Sequence, residues 1–265
     1  MPKRSKKRYT HFGKTHLRIY CKRLIGMKAP KAKGLSKPRV GTSGYSYFWN
    51  LGVPTPFEWY VSQGFNTVEI NASFYRFPSP TWIKAWIKAP EDFDFSVKVH
   101  RSITHYAKLS DKAIKLWRTF KEPFKPIEDR IAFWLFQMPL SFKPSKGNID
   151  KLTRFFANLN LGEQAVVEFR EQSWWRIKGD LKDCGVSFCS VDAPALPREI
   201  VTINDLVYLR LHGRGEWYAY VYSREELEEI AKKVREAGAK KVYIYLNNDL
   251  GMLENGKLLM KMLQL

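Results

Sequence analysis

From residue 40 onward, eight short strand-like runs alternate with helical stretches, one of which follows every run but the sixth. The strand-like runs are Val40–Ser43, Thr67–Asn71, Phe95–His100, Ile131–Gln137, Ala165–Arg170, Val186–Asp192, Leu206–His212 and Val242–Asn247. Helices are expected over Pro56–Gln63, Ser79–Lys88, Asp111–Lys121, Asn148–Leu159, Trp174–Cys184, Ser223–Ala237 and Leu253–Leu263. Thr55-Pro56, Ser79-Pro80 and the box Ser223-Arg224-Glu225-Glu226 supply start signals, because each side-chain oxygen can accept from a free first-turn N–H. After the sixth strand, Pro194 and Pro197 read as a connection rather than a helix. Regular alternation brings parallel pairing with it, and eight units predict an α/β fold, a closed (β/α)8 barrel, over an open doubly wound sheet. Gly41-Thr42-Ser43-Gly44 matches neither a dinucleotide fingerprint nor a phosphate-binding loop with its lysine, so nucleotide-cofactor binding is set aside.

Charge divides the chain. Of 45 Lys and Arg, 14 fall in residues 1–57, which hold no Asp or Glu. Residues 1–38 therefore read as a basic, disordered arm ahead of a barrel domain at 39–265. Its Lys3-Arg4-Ser5-Lys6-Lys7-Arg8 run suits nucleic acid, since clustered cations gain affinity by releasing phosphate counterions. Two other readings of the arm are a general solubility tail and an upstream segment with Met27 as the start. No apolar run reaches the ~20 residues of a membrane span, and the basic start lacks a secretory apolar segment. Cys21, Cys184 and Cys189 have no CxxC spacing, which predicts reduced thiols and a cytoplasmic protein.

In a barrel alternate strand residues point inward, and sites form where strands end. Reading each strand by that parity gathers polar groups at one mouth: Glu69 and Asn71, Lys98 and His100, Gln137, Glu168 and Arg170, Ser190 and Asp192, Arg210 and His212, then Asn247 with Asn248 and Asp249. Three chemistries fit. Glu69, Glu168 and Asp192 with His212 or His100 form a candidate set for a divalent metal ion; ion pairs with Arg170, Arg210 and Arg214 compete. Two carboxylates on separate strands suit the acid/base pair of a glycoside hydrolase. Lys98, desolvated and near arginines, suits Schiff-base chemistry, unless Glu69 neutralises it. His105 is a further acid/base candidate. Arg76, Arg170, Arg210, His212 and Arg214 favour an anionic small molecule in the mouth, and loop aromatics such as Tyr45, Tyr75, Trp174 and Trp217 can stack on a sugar or base.

Several stretches together resemble a known family. They are Gly41-Thr42-Ser43-Gly44-Tyr45-Ser46; Thr67-Val68-Glu69-Ile70-Asn71 with Phe74-Tyr75-Arg76; Ile103-Thr104-His105; Gln137-Met138-Pro139; Val167-Glu168-Phe169-Arg170 with Ser173-Trp174; Leu209-Arg210-Leu211-His212-Gly213-Arg214; and Asn247-Asn248-Asp249. In this order, over residues 39–265, the chain looks like domain-of-unknown-function family 72, the YecE-like proteins. The resemblance implies a TIM barrel and leaves the reaction open. The basic arm and a short loop after strand six depart from the family pattern. The expected function is an enzyme on an anionic substrate, first a nucleic-acid-directed enzyme cleaving a glycosidic or phosphoester bond. The alternatives are a hydrolase, lyase or isomerase of a phosphorylated sugar, and a non-catalytic nucleic-acid-binding protein.

Overall fold

In the computed structural model the described residues are 37–264. Eight parallel strands run in the order β1-β8-β7-β6-β5-β4-β3-β2. They are β1 Arg39–Thr42, β2 Thr67–Ile70, β3 Asp94–Lys98, β4 Ile131–Met138, β5 Ala165–Phe169, β6 Ser187–Asp192, β7 Leu206–Leu211 and β8 Lys241–Leu246. The helices are α1 Pro56–Ser62, α2 Pro80–Ile87, α3 Asp111–Lys121, α4 Lys146–Leu159, α5 Arg224–Glu236 and α6 Met252–Gln264. Thr55, Ser79 and Ser223 cap α1, α2 and α5 as expected, and Ser223 with Glu226 closes the full box. The expected helix after β5 is instead a 3-10 segment, Gln172–Cys184, broken at Ile177. Gly179 inside it and a kink at φ −119° interrupt the hydrogen-bond run that an α-helix needs. No helix lies between β6 and β7. Of the basic arm, all but the last two residues falls outside the described residues, as does Cys21.

The core lies between sheet and helices, where Trp134 and Phe136 of β4 pack on Trp117 of α3 and Phe155 of α4. Cys184 and Cys189 are buried. The barrel interior is unusually polar. In its middle layer the Tyr245 hydroxyl lies 2.8 Å from both Thr67 Oγ1 and Ser96 Oγ, tying β8 to β2 and β3 across the axis.

Closure between β1 and β2 has its own solution. The two strands share one bridge, Ser43 to Glu69, at the upper end. Below it the Tyr60 hydroxyl of α1 is inserted, accepting from Thr42 N at 3.0 Å and donating to Thr67 O at 2.9 Å. Gly41 permits this approach: a Cβ there would sit 2.2 Å from Thr67 O.

Candidate functional site

The register sorts the predicted mouth residues by face, because paired positions in parallel strands point the same way. Gln137 pairs with Glu168, and Val191 with Arg210. Glu69, Lys98, Gln137, Glu168, Arg210 and, beyond the strand end, His212 face inward. On β6 the parity reading is corrected. Cys189 pairs with inward Tyr208, so Ser190 and Asp192 point outward into the helix layer. There Ser190 Oγ accepts from Val201 N at 2.9 Å. Asp192 meets Arg214 at 3.1 Å and the Tyr222 hydroxyl at 3.1 Å, while Arg214 also reaches Glu229 of α5 at 2.7 Å. Asp192 and Arg214 therefore join loop to helix and do not share the space of Glu69 and Glu168. Burial raises the Asp192 carboxyl, with Arg214 pulling the other way.

Arg210 is the hub of the inner layer. Its Nη2 and Nε donate to Glu69 Oε1 at 2.7 and 3.1 Å, and its Nη1 donates to Glu168. Ser43 Oγ and the Tyr208 hydroxyl each donate to Glu69 at 2.7 Å. Arg170 pairs with the other oxygen of Glu168 and lies over Trp217, 4.4 Å from the ring centroid. Burial pushes Glu168 up, but Arg170 and Arg210 overcome it and hold the carboxyl well below its usual range. Burial and then Arg210 keep His212 neutral. His212 Nε2 lies 3.3 Å from Arg210 Nη1, and its Nδ1 lies 3.1 Å from Asn247 Nδ2.

Two carboxylates and two guanidiniums cancel, and Lys98 is left over. It is 5% exposed, with no hydrogen bond or ion pair to its amine among the described residues. The Nζ lies 4.3 Å from the centroid of the Phe74 ring. Burial first, and Arg210 next, lower this amine to about 7, with Glu168 and Glu69 opposing. Glu69 is engaged by Arg210, Ser43 and Tyr208 rather than by Lys98. His105 stands in a π-helical turn, Ser102–Tyr106, and meets Phe74 edge-on at 4.9 Å. Burial, Lys98 and Arg170 together lower it to about 4, so it is unprotonated at neutral pH. His100 lies past the end of β3, hydrogen-bonded to Ser102 Oγ at 2.8 Å and packed on Phe77, away from this layer.

Beside the layer, a cavity of about 370 Å³ opens between the loops after β1 and β2. Tyr45, Tyr47, Asn71, Tyr75 and Arg76 line it, and Ser43 connects it to Glu69. Asn71 Oδ1 and Gln137 Oε1 are buried without a hydrogen-bond partner among the described residues. Both amides can therefore still bind a donor. Asn248 Oδ1 is likewise buried without a partner among the described residues, while its Nδ2 donates to Tyr220 O and to Asn255 Oδ1 of α6 at 2.9 Å. Asp249, raised by partial burial, sits at the edge.

The donor set does not fit a metal. Among the described residues no three His, Cys, Asp or Glu converge to hold one. Arginine occupies Glu69 and Glu168, and Asp192 faces away. Nor does the pair suit glycoside hydrolysis, whose acid needs a raised carboxyl, whereas Glu168 is held ionised. Sequence reasoning passed over Ser43, Phe74 and Tyr208 as site residues. Tyr208 shares the parity of Arg210 and was readable; Phe74 stands in the family-like stretch Phe74-Tyr75-Arg76, but no periodicity gives it a role.

Fold and inner layer define the class: a (β/α)8 barrel with a polar site at the carboxyl ends of its strands. The chain belongs to the family described as protein of unknown function DUF72, whose model matches residues 39–265. A family member from Thermotoga maritima is 30% identical with a TM-score of 0.75, over 87% of this chain and 100% of that one. One from Enterococcus faecalis is 23% identical with a TM-score of 0.75, over 86% and 95%. A methyltransferase from Methanosarcina mazei shares the fold at 11% identity and TM-score 0.51, over 95% and 98%. A comparison with curated proteins finds no match.

Proposed function

We propose that the chain is an enzyme that attacks a carbonyl or anomeric carbon of an anionic sugar through the amine of Lys98. One observation carries this reading: Lys98 is an inward-facing amine with no carboxylate bonded to it among the described residues, and it is lowered to about 7. A buried amine near that value is a nucleophile at neutral pH. Its Nζ adds to the carbonyl carbon, water leaves, and an iminium forms. The iminium acidifies the neighbouring C–H, and His105, unprotonated and edge-on to the same Phe74 ring, takes that proton. A phosphoester on the next carbon then departs with its electron pair, and water hydrolyses the imine to restore the lysine. At an anomeric carbon the Nζ–C bond forms as the glycosidic bond breaks, the leaving group departs with the electron pair and takes up the proton lost from Nζ, and opening of the sugar ring gives the same iminium. Arg76 and Arg170 are the cations for the phosphate. The first substrate class is nucleic acid with a sugar aldehyde, and the basic arm at 1–38 adds a second polyanion contact. The alternative class is a phosphorylated sugar.

The test is reductive trapping. Protein is incubated with abasic-site DNA in EDTA, with and without borohydride. Cleavage and a covalent adduct are expected, and both disappear in Lys98→Ala. An adduct with aldehyde sugar phosphates alone selects the alternative class. Binding without turnover or adduct makes the chain a non-catalytic binder. Activity that requires a divalent cation and leaves no adduct overturns the amine reading.

A further inference from the structure

Among the described residues, the exposed large hydrophobic side chains, Ile87 apart, all sit in loops that follow strands. They ring the mouth rather than scatter over the surface, which marks a contact surface. The ring is electrically lopsided. The loops after β1 to β4, residues 43–55, 71–79, 99–110 and 139–145, contain no Asp or Glu and carry Arg76, Arg101, Lys108 and Lys143. The loops after β5 to β8 hold Glu171, Glu199, Asp205, Glu216 and Asp249 beside Arg170, Arg198 and Arg214. Within the acid-free half, Tyr75 is 59% exposed and Tyr106 is 70% exposed. The Arg101 guanidinium lies between them, 5.7 Å from one ring centroid and 5.9 Å from the other. Next to Tyr75 opens the 370 Å³ cavity, with the unpartnered Asn71 Oδ1 in its wall.

We propose that the rim over β1, β2 and β3 is a track for single-stranded nucleic acid. Bases stack on Tyr75 and Tyr106, phosphates lie against Arg101 and Arg76, and one nucleotide turns into the cavity beside Asn71. The inference rests on the reading of the mouth as a site for an anionic substrate. Two exposed aromatic faces around a guanidinium present stacking planes and a cation together, which is what a strand of unpaired bases and phosphates needs. An acid-free surface favours a polyanion over a protein of mixed charge. A paired duplex hides the base faces that the tyrosines would meet.

The track is tested by fluorescence anisotropy with a labelled oligothymidine of about twelve nucleotides, within the site sizes of such proteins. The full chain carries Lys98→Ala throughout, so no covalent chemistry intervenes. Tyr75→Ala and Tyr106→Ala should each weaken binding roughly tenfold, while Tyr106→Phe retains it. Arg101→Gln should reduce the log–log salt slope by about 0.7. Unchanged affinity in the Tyr75→Ala/Tyr106→Ala double variant overturns the proposal. So does equal, equally sensitive binding of a blunt duplex. If the double variant instead dissolves a dimer in sedimentation and leaves oligonucleotide affinity intact, the rim is a self-association face and the track is refuted. A failed borohydride adduct with the rim effect present faults only the amine chemistry. An intact adduct with no rim effect faults only the track.

Discussion

Lys98 and His105 sit on one aromatic ring: the amine lies 4.3 Å from the centroid of Phe74, and the imidazole meets the same ring edge-on at 4.9 Å. Burial and then the Lys98 charge lower the affinity of His105 for a proton, because a second cation in a desolvated mouth is repelled. At neutral pH this arrangement keeps an imidazole free to accept a proton and an amine partly free to attack.

Adduct formation should rise with pH through about 7 as Lys98 loses its proton. Arg170 lowers this amine and Glu69 raises it. Arg170→Gln should therefore move the inflection to higher pH, and Glu69→Gln to lower pH with more trapping at pH 7. A pH series of borohydride trapping reads both. Shifts in the opposite directions would sink the charge-balance argument.

The same lysine costs stability. Its folded-state affinity for protons is below the unfolded one, so the unfolded chain holds more protons between about pH 7 and 10.5 and stability rises across that window. Lys98→Met removes the penalty. Denaturant unfolding at pH 7 should show the variant more stable, by roughly 3–5 kcal/mol at most. The advantage should fade towards pH 10.5. A variant less stable at pH 7 contradicts the uncompensated amine.

Arg210→Met removes the guanidinium that bridges Glu69 and Glu168, leaving Glu69 with only hydroxyl donors and Glu168 with Arg170 alone. Removing one partner of a buried ion network costs roughly 3–5 kcal/mol. Glu168 is held below its ordinary range in the folded protein, so its contribution is present above the unfolded pKa of about 4.3 and lost as pH falls through the folded one. The gap between wild type and variant should thus be full at pH 7 and narrow below about pH 4. Urea titrations at the two pH values provide the comparison. Asp192→Asn, on the outer face, should leave trapping unaltered.

Deleting residues 1–38 should barely move the melting temperature and should flatten the salt dependence of duplex DNA binding. Each phosphate that the arm no longer neutralises takes about 0.9 from the log–log slope. An unchanged slope means that the arm does not touch phosphates.

Alternation and capping signals carried the fold, because Pro56, Pro80 and the Ser223 box act locally and need no tertiary context. Inward parity was legible on β2, β3, β5 and β7, where Glu69, Lys98, Glu168 and Arg210 stand among apolar neighbours. It failed on β6. Polar residues of that strand fall on both phases, Ser187 on one and Ser190 with Asp192 on the other, and Asp192 finds its partners Arg214 and Tyr222 on the helix side. Pairwise chemistry was less legible still. Lys98 and Glu69 are both inward, yet Arg210 takes the carboxylate because a planar guanidinium spans Glu69 and Glu168 as a single amine cannot.

Tyr60 gives the barrel an uncommon dependence. Seven joints of the cylinder are backbone ladders, copied from residue to residue and indifferent to side-chain identity. The eighth, between β1 and β2, hangs largely on one phenolic oxygen from a surrounding helix. Tyr60→Phe strips that oxygen and strands a buried N–H and a buried carbonyl, at a cost of about 1–3 kcal/mol in unfolding measurements. The circumference of the molecule is therefore editable one atom at a time, at the seam that borders both Glu69 and the cavity.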